Sequence, residues 1–185
     1  MTTRPGRQFL QVPGPTNIPD RILNAMHRPA LDFASPGFMD IAIDCFEKVK
    51  PLFGTDGEVF FYTASGHGAW EAAFVNLFEA GDTILMPETG RFSLTWGEMA
   101  NSFGLKIETI PNDWRTAIDL DALEDILRRD TDHRIKGVLA VHTETATGVT
   151  SDVRAMRTAI NAAGHPALLV IDAIASFMTT PLPMD

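Results

Sequence analysis

Five short β-rich runs, at residues 59–62, 83–86, 106–110, 137–141 and 168–171, recur along this chain, most of them nearly all apolar, and helical patterns separate them. A run such as Val138-Leu139-Ala140-Val141 is apolar at every position, so as a strand it has no face to offer to water. Strands buried on both faces need a layer on each side. Parallel neighbours need a crossover of a dozen or more residues, which a helix supplies. The pattern therefore predicts an α/β fold, a mainly parallel sheet flanked by helices near 67–78, 92–103, 119–129 and 153–163. Asp119 and Ser151 are the expected caps of the last two.

The start of the chain reads differently. Residues 1–20 are rich in proline and glycine and predict an extended arm, because proline lacks the N–H that a helix or a ladder uses. Over 36–53 the residues Phe38, Ile41, Cys45, Phe46, Val49 and Leu52 keep helical spacing, which predicts a helix with Cys45 on its core face. A lone cysteine excludes an internal disulfide and a multi-cysteine zinc cluster. The net charge of −9 argues against nucleic-acid or anionic-membrane surfaces as partners. No apolar stretch approaches the roughly 20 residues of a membrane span or forms a secretory leader, so a cytoplasmic protein is expected.

In sheets of this kind ligands bind beyond the carboxyl ends of the strands, so the residues that follow each run bear on function. After the first run, Thr63-Ala64-Ser65-Gly66-His67-Gly68 is a turn of small residues opening into a helix. Free amides, the partial positive charge of a helix start and the Ser65 hydroxyl suit a phosphate. The same turn serves as a plain strand-to-helix connection. It also comes close to a dinucleotide fingerprint, with Glu88 after the next strand, although Glu71 stands where that motif packs a small residue.

Beyond the second run Trp96 offers a flat ring for stacking; such a tryptophan also serves as core. The segment His142-Thr143-Glu144-Thr145 after the fourth run is dense in hydrogen-bonding groups. The fifth run delivers Asp172 to the same edge, either as a turn cap or as a carboxylate for a cationic partner. A phosphate cradle, a stacking ring, a hydroxyl and a carboxylate together match the phosphate, ring face, phenolic oxygen and ring nitrogen of pyridoxal 5′-phosphate.

In these motifs and their order the chain resembles the class V aminotransferases of the serine–glyoxylate and alanine–glyoxylate group, from about Val12 to its last residue. Pro13-Gly14-Pro15-Thr16 resembles the family's arm, Ser65-Gly66-His67-Gly68-Ala69-Trp70 its phosphate turn, and Thr95-Trp96-Gly97-Glu98 its stacking segment. The run from His142 to Thr150 and the run leading to Asp172 continue the likeness.

The resemblance implies a fold type I large domain over 21–185 and a transaminase moving an amino group from serine or alanine to glyoxylate or a similar 2-oxo acid. Its pyridoxal 5′-phosphate would meet Ser65, Gly66 and His67 at the phosphate and Trp96 at one ring face. Ile174 would take the other face, Thr145 the phenolic oxygen and Asp172 the ring nitrogen. It implies a homodimer as well.

The family's cofactor-anchoring lysine, in a Ser-Gln-Lys segment, and its substrate-gripping arginine are expected beyond Asp185. The four lysines here, Lys48, Lys50, Lys106 and Lys136, lie on a helix or at strand starts. The chain alone is therefore expected to be an inactive, incomplete large domain. A noncatalytic phosphate-ligand or subunit-binding module stays an alternative. So, more remotely, do a dinucleotide-binding domain and a cysteine-desulfurising relative, the latter requiring a mobile cysteine.

Overall fold

The computed structural model describes residues 9–182 together with Gly6 and Met184, and the chain divides into two compact units, Met1–Val59 and Phe60–Asp185. In the first unit residues 9–19 carry neither helix nor strand; most of the residues before them lie outside the described residues. Helix α1 spans Asp20–Met26 and α2 spans Pro36–Phe53. The α2 boundaries follow from local chemistry. Ser35 caps the start by accepting from the Phe38 N–H at 3.3 Å, and Gly54 ends the helix in the left-handed conformation at φ 61°.

The apolar stripe of α2 is present but not buried. Cys45 is exposed, and Phe38, Ile41 and Phe46 each keep 39% of their surface. The expected core position of Cys45 is thus corrected. Periodicity identifies the apolar side of a helix, but a surface must cover that side for it to become core, and α2 buries no residue here.

The second unit contains α3 (Gly66–Leu77), β1 (Thr83–Pro87), α4 (Arg91–Ser102), β2 (Lys106–Ile110), α5 (Leu120–Arg129), β3 (Ile135–Val141), α6 (Val153–Ala162) and β4 (Leu168–Asp172). The four strands form one wholly parallel sheet in the order β2-β1-β3-β4. The run at 59–62 forms no strand, contrary to expectation. A strand exists only through its ladder, and neither sheet edge, β2 or β4, pairs with this segment. Phe60 and Tyr62 stand 71% and 54% exposed.

Side-chain alternation along the two inner strands divides the core in two. Leu85, Val138 and Ala140 pack with Leu123 and Leu127 of α5 and Met156 of α6. Ile84, Met86, Leu139 and Val141 point the other way, into a layer with Phe74 of α3 and Trp96 of α4. Right-handed crossovers explain the split, because the chain moves outward from β1 to β2 and then back past β1 to β3, so α4 and α5 fall on opposite faces. Asp119 caps α5 as expected, accepting from Ala122 N–H at 2.9 Å. At α6 the cap is Asp152 instead of Ser151. Ser151 is buried, and its hydroxyl accepts from the Ile118 N–H at 3.4 Å. Among the described residues no helix is long and apolar enough to cross a membrane.

A buried hydrogen-bond cluster around Asp130 closes the amino-terminal side of the sheet. The Ala167 N–H donates to His165 Nδ1 at 3.2 Å, which leaves Nε2 as the protonated nitrogen facing Asp130 Oδ2 at 3.3 Å. The Ile135 N–H donates to the same oxygen at 2.7 Å. Burial pushes the Asp130 carboxyl up, but the backbone N–H groups of Ile135 and Arg134 and the His165 contact outweigh it and hold it below the usual carboxylate range. A lowered folded-state value contributes stability above the unfolded value of 3.8, and that contribution is lost as pH falls through the folded one. Asp130→Asn should therefore cost roughly 1.5–3 kcal/mol at pH 7, the scale of hydrogen bonds to a charged group. Urea midpoints measured from pH 7 down to pH 3 should show the deficit shrinking in acid; a pH-independent deficit would contradict the assignment.

Candidate functional site

The reversal of strand order lies between β1 and β3, where one connection leaves for β2 and the other proceeds to β4. A crevice is expected outside the carboxyl ends of those strands, because the two chains diverge to opposite faces there. A pocket of about 90 Å³ occupies this position, lined by Gly66, His67, Trp70, Phe92, Thr145 and Asp172, among others.

Helix α3 supplies one wall. Its N-cap, Ser65, makes no side-chain capping bond, whereas Asp119 and Asp152 cap α5 and α6. The first-turn amides of α3 thus keep no side-chain acceptor, beside Gly66 and His67 in the pocket lining. Gly68 is fixed by space: a Cβ there would stand 2.4 Å from Ala64 Cβ. One turn on, Trp70 is 5% exposed, and its ring meets that of His67 at 4.5 Å between centroids.

The loop after β3 supplies the opposite wall, and its own hydrogen bonds make it rigid. Glu144 N–H donates to Val149 O at 2.9 Å, Gly148 N–H to Glu144 O at 2.7 Å, and the Thr143 and Thr150 hydroxyls meet at 2.9 Å. The His142 N–H donates to Asp172 O at 2.8 Å, prolonging the β3–β4 ladder beyond its last residues. The His142 ring is buried against the Ser176 hydroxyl at 2.8 Å, and burial pulls its imidazole below the usual range, with Asp152 acting weakly against this.

Asp172 forms part of the pocket lining at 9% exposure. Burial pushes its carboxyl above the usual range, and the charge of Glu144 adds to that push. The Ile174 N–H, donating to Oδ1 at 2.9 Å, the Trp70 indole N–H and His67 act in the opposite direction without cancelling it. The site therefore holds a carboxylate with an unmet preference for a positive partner.

Of the residues singled out in the sequence, Gly66, His67, Thr145, Asp172 and Ile174 converge on this pocket. Ser65 lies next to it at the helix start and is exposed. Trp96 does not line it, and its expected stacking role is corrected. It is 1% exposed, its Nε1 has no hydrogen-bond partner, and its ring stacks on Trp70 at 5.3 Å and 17°. Trp96 sits one helical turn beyond Phe92, so it faces the core layer beneath the pocket while Phe92 reaches the lining. Trp70 and Phe92 were missed. The available signal was position: Trp70 follows His67 by three residues on α3, and Phe92 is the second residue of the helix after β1.

Larger clefts lie elsewhere, among them two of about 410 and 440 Å³. The first, at the amino edge of the strands, balances Lys106, Arg134 and Lys136 against Asp82, Glu108 and Asp132. The second runs along α6 and β4 between Arg154, Arg157 and apolar side chains. None of the four lysines lines the pocket at the switch point.

Known proteins match this chain over nearly all of its length. The family model for aminotransferase class-V matches residues 9–185. The chain is 45% identical over 185 residues to the serine–glyoxylate aminotransferase of Methylorubrum extorquens, covering 100% of this chain and 46% of the relative. It is 39% identical over 175 residues to the L-aspartate–glyoxylate aminotransferase of Paracoccus denitrificans, covering 94% and 44%. A solved aspartate aminotransferase from Thermus thermophilus superposes with a TM-score of 0.86 at 27% identity, covering 96% of this chain and 49% of that one. The chain thus spans under half the length of these relatives.

A raised carboxyl carries a stability signature. Between the unfolded value of 3.8 and the folded one the native state holds more protons, so stability falls as pH rises through that window. Without added cofactor, Asp172→Asn should be at least as stable as the parent at pH 7 and lose that advantage below about pH 4. Urea midpoints at both pH values decide; a variant weaker at pH 7 than in acid would refute the assignment.

Proposed function

This chain belongs to the class V aminotransferase family, and from that premise we propose that it forms the pyridoxal 5′-phosphate-binding part of a transaminase. The complete enzyme would move an amino group from serine or alanine to glyoxylate or a similar 2-oxo acid. Glyoxylate is common to the names of the two curated relatives, whose named amino donors differ. When bound, the cofactor supplies an electron-withdrawing ring that acidifies the amino acid's α-carbon and carries the amino group between half-reactions.

One observation carries the reading: Asp172, a buried carboxylate with raised proton affinity in the lining of the switch-point pocket. A protonated ring nitrogen is the kind of partner it lacks, and the pair would keep that nitrogen cationic. The uncapped start of α3, with Gly66, His67 and the Ser65 hydroxyl, suits the phosphate. Phe92 takes the stacking role first given to Trp96, Ile174 packs on the other ring face, and Thr145 donates to the phenolic oxygen.

A small-molecule site generally spans about 300–1,000 Å³, several times this pocket. These residues therefore make one wall. The rest, including the anchoring lysine and the grip on the substrate carboxylate, would belong to sequence of the whole protein outside this stretch. We read the whole protein as a cytoplasmic homodimer; the exposed apolar stripe of α2, with Phe38, Ile41 and Phe46, is the kind of surface a subunit interface covers.

Two experiments test this. Borohydride reduction of the 185-residue chain mixed with pyridoxal phosphate should trap no stoichiometric adduct on Lys48, Lys50, Lys106 or Lys136. In the complete protein, Asp172→Asn should lower kcat with serine or alanine and glyoxylate on the order of 100-fold, the scale of loss when one preorganised electrostatic partner of the reacting group is removed. A parent protein that turns over neither donor would sink the assignment.

A further inference from the structure

Glu144 is a fully buried carboxylate, with 0% exposure, whose two oxygens serve two different segments. Its Oε2 accepts from the N–H groups of Phe92 and Ser93, at 3.0 and 3.3 Å, in the first turn of α4. Its Oε1 accepts from the Ala146 N–H at 3.1 Å, in the loop after β3. Of the pocket residues in those two segments, Phe92 is itself a donor and Thr145 is the chain neighbour of one.

The neighbourhood is shaped to admit this side chain. A Cβ on Gly90 would stand 2.3 Å from Glu144 Cγ and 2.7 Å from its Cδ, so any other residue there would push the carboxylate away. Ser93 Oγ accepts from the Thr89 and Gly90 N–H groups at 3.0 and 3.1 Å, fixing the turn that passes over it. An internal anion thus occupies the positive end of α4, while the start of α3 has no side-chain acceptor.

We propose that Glu144 is a positioning residue that sets the spacing between the first turn of α4 and the loop after β3, and with it the orientation of whatever ring stacks on Phe92 with its edge at Thr145. It touches no ligand itself; it acts through two backbone segments that local sequence does not hold together. The inference rests on the reading of this pocket as a pyridoxal phosphate site.

In Glu144→Gln one oxygen becomes an N–H₂ group that faces backbone N–H donors, so one segment loses its acceptor while side-chain volume is kept. Leaving such donors unmet corresponds to about tenfold weaker binding of the pocket's ligand. Gly90→Ala should reproduce the effect with Glu144 intact.

The test uses the complete protein freed of cofactor and titrated with pyridoxal 5′-phosphate. Affinity is followed together with the visible circular dichroism of the saturated complex, which reports a fixed ring orientation. Both variants should bind about tenfold more weakly and show a reduced dichroic signal per bound cofactor at saturation; a merely structural defect would not change that signal. Glu144→Gln or Gly90→Ala binding with parental affinity and a parental signal overturns the inference while leaving the function standing. A parent protein that fails to bind the cofactor overturns the functional reading, and this inference with it.

Discussion

The side-by-side pairing of β1 and β3 is the constraint on which the rest of the second unit depends. Both strands are buried on both faces, and both feed segments that turn away at their carboxyl ends. The reversal between them separates α4 from α5, opens the crevice, and aims Phe92, Thr145 and Asp172 at one point. Parallel pairing also makes the site composite: no two of these residues are close in sequence, and only the shared register of β1, β3 and β4 brings them to one level.

Three buried carboxylates on this frame show how burial can be compensated. Asp130 has backbone donors and His165, and its affinity for a proton falls. Glu144 is held by three amides from two segments. Asp172 has an amide and an indole N–H, too little to offset its burial, and its affinity for a proton rises. The first two favour one arrangement of the chain; the third leaves an electrostatic demand at the pocket that a cationic ligand group satisfies. The under-compensated carboxylate lies where the fold gathers its polar wall, which is the expected location for function to weigh against stability.

Apolar surface is distributed unevenly. The inner strands β1 and β3 are covered on both faces by helices, whereas the α2 stripe, the run at 59–62, Leu168 at 44% and Ile174 at 73% are exposed. A chain matching under half the length of its relatives is expected to show such faces, because apolar patterning is written for all of the surfaces a protein meets.

The sequence by itself determined the fold class and most of the elements. Mostly apolar runs separated by amphipathic helices allow little besides a parallel sheet with two covered faces, and strand-end chemistry pointed to the turn at 65–68, the 142–145 segment and Asp172, while Thr145 and Ile174 as single site residues came from the family resemblance. Glycine and cap positions likewise set helix ends such as Gly54 and Asp119, because those depend on contacts a few residues away. Only the tertiary structure decided the rest. Whether 59–62 is a strand depends on a partner, and whether Cys45 is core depends on a covering surface. Whether Trp96 or Phe92 faces the pocket depends on which turn of α4 lies against it, and Glu144, 52 residues away from Phe92, holds the first turn there. Composition and periodicity report a residue's own preference; pairing, burial and orientation belong to contacts between distant segments, which no local pattern encodes.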